Sequence, residues 1–144
     1  MVEGKNSRGS IAIVDDDEAM LFSLKRILGY YGFEISEFSS GSKAFAAYQA
    51  EPNKFDAVLT DLNMPGIDGF ELMAKIREID KDAVIVVLTG FPSTDNAVAA
   101  LRKGAFDFLE KPYSNEKLSL TLDKGIELRR LRRAHAESHQ QTEA

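Results

Sequence analysis

The sequence has 144 residues, of which 44% are hydrophobic and 28% are charged, proportions typical of a single globular domain. It contains no cysteine, which excludes disulfide bonds and thiolate chemistry. The formal net charge is -5, and residues 1–114 hold 12 basic and 18 acidic side chains, so we expect this domain not to bind nucleic acid directly.

No segment has the length of a membrane span. The longest aliphatic run covers residues 83–88, whereas a transmembrane helix requires about 20 apolar residues. The N-terminus also lacks an apolar signal segment. We therefore expect a cytoplasmic protein without a membrane partner.

Residues 1–38 predict a flexible arm, a strand, a helix and a second strand. The arm is the polar, glycine-containing segment 1–9. The apolar residues 11–14 predict a buried strand that ends at Asp15, Asp16 and Asp17. The following helix has one apolar face, made by Leu21, Leu24, Leu28 and Tyr31. Aromatic and β-branched residues then predict the second strand.

The central segment is organised around the strand at residues 55–60 and the acid that follows it. A helix capped by Ser39 or Ser40 precedes this strand. The strand shows no helical period and ends at Asp61, after which turn-forming residues lead into another amphipathic helix. Asp61 therefore stands at the carboxyl end of a buried strand, where open α/β sheets place their ligand crevice.

The last part of the chain predicts two further strands and two helices. Residues 83–88 are uniformly apolar, as expected of a strand covered on both faces, and they end at Thr89. A capped helix follows, and residues 105–110 predict a fifth strand that leads to Lys111. The final helix begins near Ser114.

Five strands that alternate with five helices predict a doubly wound α/β fold with a parallel sheet. All strands of such a sheet end at the same edge, which gathers residues that are distant in the sequence. These residues are Asp15, Asp16, Asp17, Asp61, Thr89 and Lys111. The convergence of these side chains is the strongest inference that the residues support by themselves.

The gathered side chains suit phosphoryl transfer. Carboxylates about 5 Å apart repel each other by roughly 3 kcal/mol at an effective dielectric constant near 20, and a divalent cation removes this penalty. Oxygen ligands without His or Cys favour Mg²⁺ or Mn²⁺ over zinc. With a metal and Lys111 nearby, Asp61 is a candidate nucleophile that becomes an aspartyl phosphate, and Thr89 supplies a hydroxyl donor.

The sequence resembles the response regulator receiver domain of two-component signalling over about residues 10–125. The matching motifs are VDDD at residues 14–17, LTDLNMPGIDG at residues 59–69, Thr89-Gly90, and GAFDFLEKP at residues 104–112, in this order and spacing. The resemblance implies a flavodoxin-like sheet with the strand order 2-1-3-4-5 and five helices, the last of which is extended.

The resemblance also implies a phosphoacceptor site with bound magnesium. Asp61 would accept a phosphoryl group from the phosphohistidine of a sensor histidine kinase or a phosphotransfer protein. Asp16 and Asp61 would bind Mg²⁺ (or Mn²⁺) directly, Asn63 through its backbone carbonyl, and Asp15 through water. The chain would catalyse only its own phosphorylation and dephosphorylation, so we do not expect an enzyme with a separate substrate.

The resemblance further implies a conformational switch, in which phosphorylation of Asp61 changes the positions of Thr89 and Phe108. Thr89 and Lys111 would contact the phosphoryl oxygens, and the Lys111–Pro112 peptide bond would be cis. Phe108 would turn inward when Thr89 moves toward the phosphoryl group, which changes the surface of the fourth helix, fifth strand and fifth helix. Phe108 stands where tyrosine is common in the family, so the packing part of the switch is retained without the hydroxyl.

Two residues are expected to tune the lifetime of the phosphoryl group. Asn63 and Phe91 each lie two residues beyond a site residue, Asp61 and Thr89 respectively. By resemblance these positions control the access of water to the phosphoryl group. We hypothesise that the bulky Phe91 slows its hydrolysis.

The resemblance divides the chain into an arm at residues 1–9, a receiver domain at residues 10–125 and an extended helix or linker tail at residues 126–144. The chain would be either a single-domain regulator or, as the projecting tail favours, a receiver fragment of a larger regulator with an output domain C-terminal to it. The residues that would make the tail a linker or a dimer contact are Leu128, Leu131, Arg129, Arg130, Arg132 and Arg133. The alternative is a frayed polar tail with solvated arginines, which Gly125 favours because glycine weakens a helix.

Other interpretations stay open at this point. The aspartates after the first strand are also typical helix caps, and a lysine such as Lys111 is usually solvated. A magnesium-dependent phosphatase or phosphotransferase would use Asp61 as nucleophile, but it commonly needs an acid where Asn63 stands. A scaffold without phosphorylation is the third alternative. A homodimer through the fourth helix, fifth strand and fifth helix is a further expectation.

Overall fold

The computed structural model describes residues 7–90 and 93–143, with side chains described through residue 135. The strands are β1 (Ser10–Val14), β2 (Glu34–Phe38), β3 (Ala57–Thr60), β4 (Ile85–Thr89) and β5 (Asp107–Glu110). The helices are α1 (Glu18–Tyr30), α2 (Gly41–Ala50), α3 (Gly69–Ile79), α4 (Thr94–Arg102) and α5 (Asn115–Glu143). None of the helices in these ranges has both the length and the apolar composition needed to cross a membrane.

The strands form one parallel sheet in the order β2-β1-β3-β4-β5, which confirms the predicted fold class and strand order. Three strands begin two residues later than predicted, at Ala57, Ile85 and Asp107. The residues in front of them, such as Phe55 and Ala83, are buried but lie outside the backbone ladder. The strand starts were predicted from runs of hydrophobic residues, which indicate burial. A strand begins only where the backbone pairs with its neighbour, so the predicted starts were too early.

Helices on both faces divide the core into two layers. Alternate residues of a strand point to opposite faces. In β4, Val86 and Leu88 pack in the layer that contains α1 and α5, while Ile85 and Val87 pack in the layer that contains α2 and α3. The unbroken apolar run of β4 therefore serves two cores.

Each of α1 to α4 begins at a side chain that accepts hydrogen bonds from backbone N–H groups of its first turn. These N-cap residues are Asp17, Ser40, Asp68 and Ser93. Such a cap typically contributes about 1 kcal/mol. Among the three aspartates after β1, the helix-capping interpretation is confirmed for Asp17.

Arg8 attaches the end of the predicted N-terminal arm to the domain. Its guanidinium donates a hydrogen bond to the carbonyl of Tyr31 at 2.9 Å and forms an ion pair with Asp123. The guanidinium carbon lies 4.9 Å from the centre of the Phe33 ring, a cation–π distance. Residues 1–6 of the predicted arm lie outside the described residues.

Gly125 lies where α5 approaches the sheet. A Cβ atom at this position would be 2.6 Å from Cγ1 of Val84, so glycine permits the close approach. The helix continues through Gly125, and Ile126 is buried in the same layer. The interpretation of Gly125 as a sign of a frayed tail was therefore wrong. The domain boundary at residue 125 stays a prediction.

A buried ionic network joins α5 to α2 and α3. Arg129 is only 2% exposed, and its Nη1 lies 2.9 Å from Oδ2 of Asp80, the C-cap residue of α3. Nη2 of Arg133 lies 3.6 Å from the same oxygen, and the hydroxyl of Tyr48 donates a hydrogen bond to it at 2.6 Å. The expectation of a solvated arginine face was wrong for Arg129, because its partners lie far away in the sequence.

The network keeps Asp80 ionised and Tyr48 protonated. Burial disfavours the charged form of Asp80, but the hydrogen bond from Tyr48 and the charge of Arg129 outweigh burial and lower the pKa of Asp80. Burial, followed by the hydrogen bond to Asp80, raises the pKa of the Tyr48 hydroxyl. The network is therefore fully formed at neutral pH.

We predict that Asp80→Ala lowers the free energy of unfolding by about 3–5 kcal/mol, because Arg129 is left buried without its counter-charge. Urea denaturation at neutral pH measures this change. Glu78→Ala, at an exposed position on the same helix, is the matched control and should change stability by less than about 0.5 kcal/mol. Equal effects of the two substitutions would contradict the prediction.

The pH dependence of the free energy of unfolding gives a second test of the role of Asp80. Because the pKa of Asp80 is lowered in the folded state, its contribution is present above its ordinary pKa of 3.8 and is lost as the pH falls through the folded value. The stability difference between wild type and Asp80→Asn should therefore shrink in acid.

Candidate functional site

The carboxyl ends of four strands meet at one edge of the sheet. Along this edge lie Asp15 and Asp16 after β1, Asp61 after β3, Thr89 at the end of β4, and Lys111 after β5. The backbone N–H of Asp61 donates to the carbonyl of Val14 at 3.1 Å, and that of Lys111 donates to the carbonyl of Thr89 at 2.9 Å. The structure thus brings together the residues that the sequence placed at one edge.

Three carboxylates form a compact cluster at this edge. One oxygen from each of Asp15, Asp16 and Asp61 lies within 4.8 Å of the others. Asp15 is buried, Asp61 is half-buried, and Asp16 is exposed. The cluster is therefore closed toward the core and open toward solvent on the side of Asp16.

Lys111 lies between two of these carboxylates. Its Nζ is 3.2 Å from Oδ2 of Asp15 and 3.6 Å from Oδ2 of Asp61. The peptide bond between Lys111 and Pro112 is cis, as the resemblance implied. The alternative of a solvated Lys111 is therefore wrong, since its ammonium group faces the cluster.

The environment of Asp15 disfavours its charge. Burial is the main cause and raises the pKa of Asp15. A hydrogen bond from the backbone N–H of Asp17 at 2.9 Å and the charge of Lys111 oppose this effect, while the charge of Asp61 adds to it. The pKa of Asp15 remains raised, so the cluster holds unfavourable negative charge.

The two oxygens of Asp61 have different surroundings. Oδ1 accepts a hydrogen bond from the backbone N–H of Leu62 at 2.7 Å, whereas Oδ2 faces the ammonium group of Lys111.

Gly69, which sequence reasoning did not assign to the site, lies against this turn. A Cβ atom on Gly69 would be 2.5 Å from the carbonyl oxygen of Asp61, and its only sequence signal was its position at the end of the matched motif.

The remaining predicted residues occupy three positions around the cluster. Asn63 is exposed in the loop after β3, and Thr89 is fully buried. Phe108 is half-buried on β5 and lines a groove with Val98 and Leu101 of α4. Phe91 lies outside the described residues, so its role in phosphoryl lifetime stays a prediction, as does the role of Asn63.

The donor set fits a divalent cation that prefers oxygen ligands. Fully ionised, the three carboxylates carry three negative charges and Lys111 carries one positive charge. The site contains no sulfur or imidazole donor among its described residues, which favours Mg²⁺ or Mn²⁺ over zinc. Because Asp16 is exposed, a cation held by this cluster would be accessible to solvent.

Comparison with known proteins gives a family match over most of the chain. Residues 11–123 match the model of the response regulator receiver domain. The transcriptional regulatory protein FixJ of Bradyrhizobium diazoefficiens is 36% identical over 121 residues, which cover 83% of this chain and 58% of FixJ. For DctD of Rhizobium meliloti, a C4-dicarboxylate transport transcriptional regulatory protein, the identity is 34% and the match covers 85% of this chain but 26% of DctD. The chain thus spans about a quarter to three fifths of the length of these relatives.

A solved structure has the same fold. The response regulator receiver domain protein from Clostridium thermocellum superposes with a TM-score of 0.82 at 30% identity, over 85% of this chain and 98% of that one. Sequence and structure comparisons therefore lead to the same family.

We predict that Asp15→Asn raises the thermal unfolding temperature by about 3 °C when divalent cations are chelated. The substitution removes the buried carboxylate of Asp15, whose pKa is raised by burial. In the wild type, the charged Asp15 carboxylate destabilises the folded state. Because the pKa of Asp15 is raised on folding, this destabilisation is absent below the ordinary pKa of 3.8 and develops as the pH rises through the folded value. Differential scanning calorimetry in EDTA at several pH values measures the shift.

Glu78→Gln, an exposed carboxyl-to-amide change on α3, serves as the control and should leave the unfolding temperature unchanged. Addition of Mg²⁺ should stabilise the wild type more than Asp15→Asn, because the variant has lost one carboxylate of the cluster. A wild type that is more stable than Asp15→Asn in EDTA at neutral pH would contradict the electrostatic interpretation.

Proposed function

This chain belongs to the response regulator receiver domain family, and we propose that it works as a signalling switch in which Asp61 is the residue that becomes phosphorylated. The observation that supports this assignment is the asymmetric environment of the Asp61 carboxylate. One oxygen is held by the backbone of Leu62, while the other faces Lys111 and the acidic cluster.

The proposed reaction is transfer of a phosphoryl group from a phosphohistidine to Asp61. An oxygen of Asp61 forms the new P–O bond, the P–N bond of the donor breaks, and the departing imidazole keeps the bonding electron pair. Lys111 and Thr89 contact the phosphoryl oxygens, where Lys111 balances their negative charge. The product is an aspartyl phosphate at the end of β3.

The metal would be held at the same edge. Asp16 and Asp61 would bind Mg²⁺ or Mn²⁺ directly, Asn63 through its backbone carbonyl, and Asp15 through water. The bound cation supplies charge neutralisation between the carboxylates and the incoming phosphoryl group. The open side of the cluster at Asp16 is consistent with a ligand that approaches from solvent.

The switch would connect this site to the surface of α4, β5 and α5. Thr89 lies at the end of β4, and Phe108 lies on the neighbouring strand, where it lines the groove against α4. Movement of Thr89 toward a phosphoryl group would vacate space that Phe108 fills. The groove beside α4 would then change shape, and with it the affinity for a partner.

The partners of this switch follow from the proposed chemistry. A sensor histidine kinase or a phosphotransfer protein would supply the phosphoryl group. An output domain C-terminal to α5, or a separate protein, would read the changed surface. A homodimer through α4, β5 and α5 remains a prediction of the same kind.

We predict that acetyl phosphate with Mg²⁺ adds a labile group of about 80 Da, the mass expected for an acyl phosphate on a carboxylate. Intact-protein mass spectrometry detects the adduct, and peptide analysis after borohydride reduction locates it. Asp61→Asn should abolish the adduct, whereas the exposed control Glu78→Gln should keep it. An adduct that persists in Asp61→Asn would exclude the assignment.

A second prediction concerns Lys111. Lys111→Ala should slow the formation of the adduct by about 10²–10³-fold, because the ammonium group no longer balances the charge that develops on the phosphoryl oxygens. Initial rates at saturating Mg²⁺ measure the effect. Lys117→Ala, at an exposed position on α5, is the control. An unchanged rate in Lys111→Ala would remove Lys111 from the proposed chemistry.

The alternative of a magnesium-dependent phosphatase is tested with the wild-type protein and the Asp61→Asn variant. Steady turnover of a free phosphomonoester with Mg²⁺, lost in Asp61→Asn, would indicate an enzyme with a separate substrate. A scaffold, in contrast, would neither form the adduct nor bind beryllofluoride in the presence of Mg²⁺.

A further inference from the structure

The side of the molecule formed by α1 and α5 carries several large apolar side chains that are exposed. On α5 these are Leu120, which is 52% exposed, and Leu131, which is 62% exposed. On α1 they are Phe22 and Tyr30. This side is separate from the groove between α4 and Phe108 that the proposed switch uses.

The outer face of α5 combines these leucines with opposite charges. Leu120, Lys124, Glu127 and Leu131 follow one another at steps of four, three and four residues, which places them in one row along the helix. All four are exposed, while the inner face of the same helix buries residues such as Leu122. Within the described part of the chain, neither Lys124 nor Glu127 forms an ion pair.

The row is symmetric about its own midpoint, which lies between residues 125 and 126. If two copies of α5 are placed antiparallel about a two-fold axis at this midpoint, Leu120 of one copy faces Leu131 of the other. Lys124 then faces Glu127 of the other copy, and each of these contacts occurs twice. Self-complementarity of this kind is what a two-fold interface requires.

The charges also set the direction of pairing. In a parallel arrangement, Lys124 would face Lys124 and Glu127 would face Glu127, which places like charges together. The antiparallel arrangement pairs each charge with its opposite.

We infer that the outer face of α5 binds a second copy of this chain in an antiparallel arrangement. The contact contains none of the residues that surround Asp61.

Cysteine cross-linking tests the register, since the natural chain has no cysteine. Leu120→Cys mixed with Leu131→Cys should give a disulfide-linked dimer under mild oxidation. Each variant alone should not, because the two copies of position 120 lie about 16 Å apart along the helix axis, beyond the roughly 7 Å limit for a disulfide. Leu120→Cys mixed with Arg130→Cys is the matched control, because Arg130 points away from the row.

Cross-linking only in the Leu120→Cys and Leu131→Cys mixture supports the inference. Two results overturn it. One is cross-linking of either variant alone to the same extent, which indicates a parallel pair. The other is a yield in the mixture that does not exceed the Arg130→Cys control. Circular dichroism verifies that all variants keep the native fold, as expected for exposed positions.

Charge reversal tests the complementarity by sedimentation equilibrium. Lys124→Glu places like charges in contact twice per dimer and should weaken dimerisation roughly tenfold. The double variant Lys124→Glu/Glu127→Lys restores opposite charges and should recover the wild-type affinity. Leu101→Glu on α4, an exposed residue outside the row, should leave the dimer intact.

A monomeric wild type, a double variant without recovery, or a dimer that Leu101→Glu dissociates while Lys124→Glu does not would each overturn the inference. Because one helix pair gives a small interface, the dimer is expected to be weak and sensitive to salt. A dimer that weakens with added salt and recovers in the double variant supports the assignment.

Discussion

The mutual repulsion of Asp15, Asp16 and Asp61 is the constraint on which the functional edge depends. At about 5 Å and an effective dielectric constant near 20, each pair repels by roughly 3 kcal/mol, and Lys111 offsets only part of this. The parallel sheet keeps the carboxylates together because each follows a strand whose hydrogen bonds and buried side chains fix its end. A bound cation would relieve this repulsion, and the negative charge that a phosphoryl group adds would then be shared between the cation and Lys111.

At the opposite end of the sheet, a buried carboxylate is surrounded by positive charges instead of negative ones. There Asp80 is one carboxylate with two guanidinium groups and a hydroxyl around it, so its charge is stabilised rather than strained. The lowered pKa of Asp80 and the raised pKa of Asp15 report this difference directly. Buried acids thus occur in two settings in this molecule. Asp80 joins helices through oppositely charged partners, whereas Asp15 lies in a cluster of like charges at the candidate site.

Residue periodicity and strand-end arguments predicted the parallel sheet and the meeting of Asp61 with Lys111, because these depend on local pattern and on topology. The strand order was predicted from the family resemblance. They did not separate Asp17, a helix cap, from Asp15, a cluster residue, since the three aspartates look alike in sequence. Arg129 was misjudged for a related reason. Its burial depends on Tyr48 and Asp80, which only the folded chain brings near it, and an arginine among other arginines carries no signal of burial.

α5 connects the two ends and the proposed dimer face. It begins three residues after Pro112, passes the sheet at Gly125, and reaches Asp80 through Arg129. These contacts resist bending of α5, because bending it would break either the packing against Val84 or the buried ion pair. A displacement at its first turn would therefore appear at the outer row of Leu120 to Leu131. If phosphorylation moves the beginning of α5, the antiparallel contact is placed where it would sense that movement without touching Asp61.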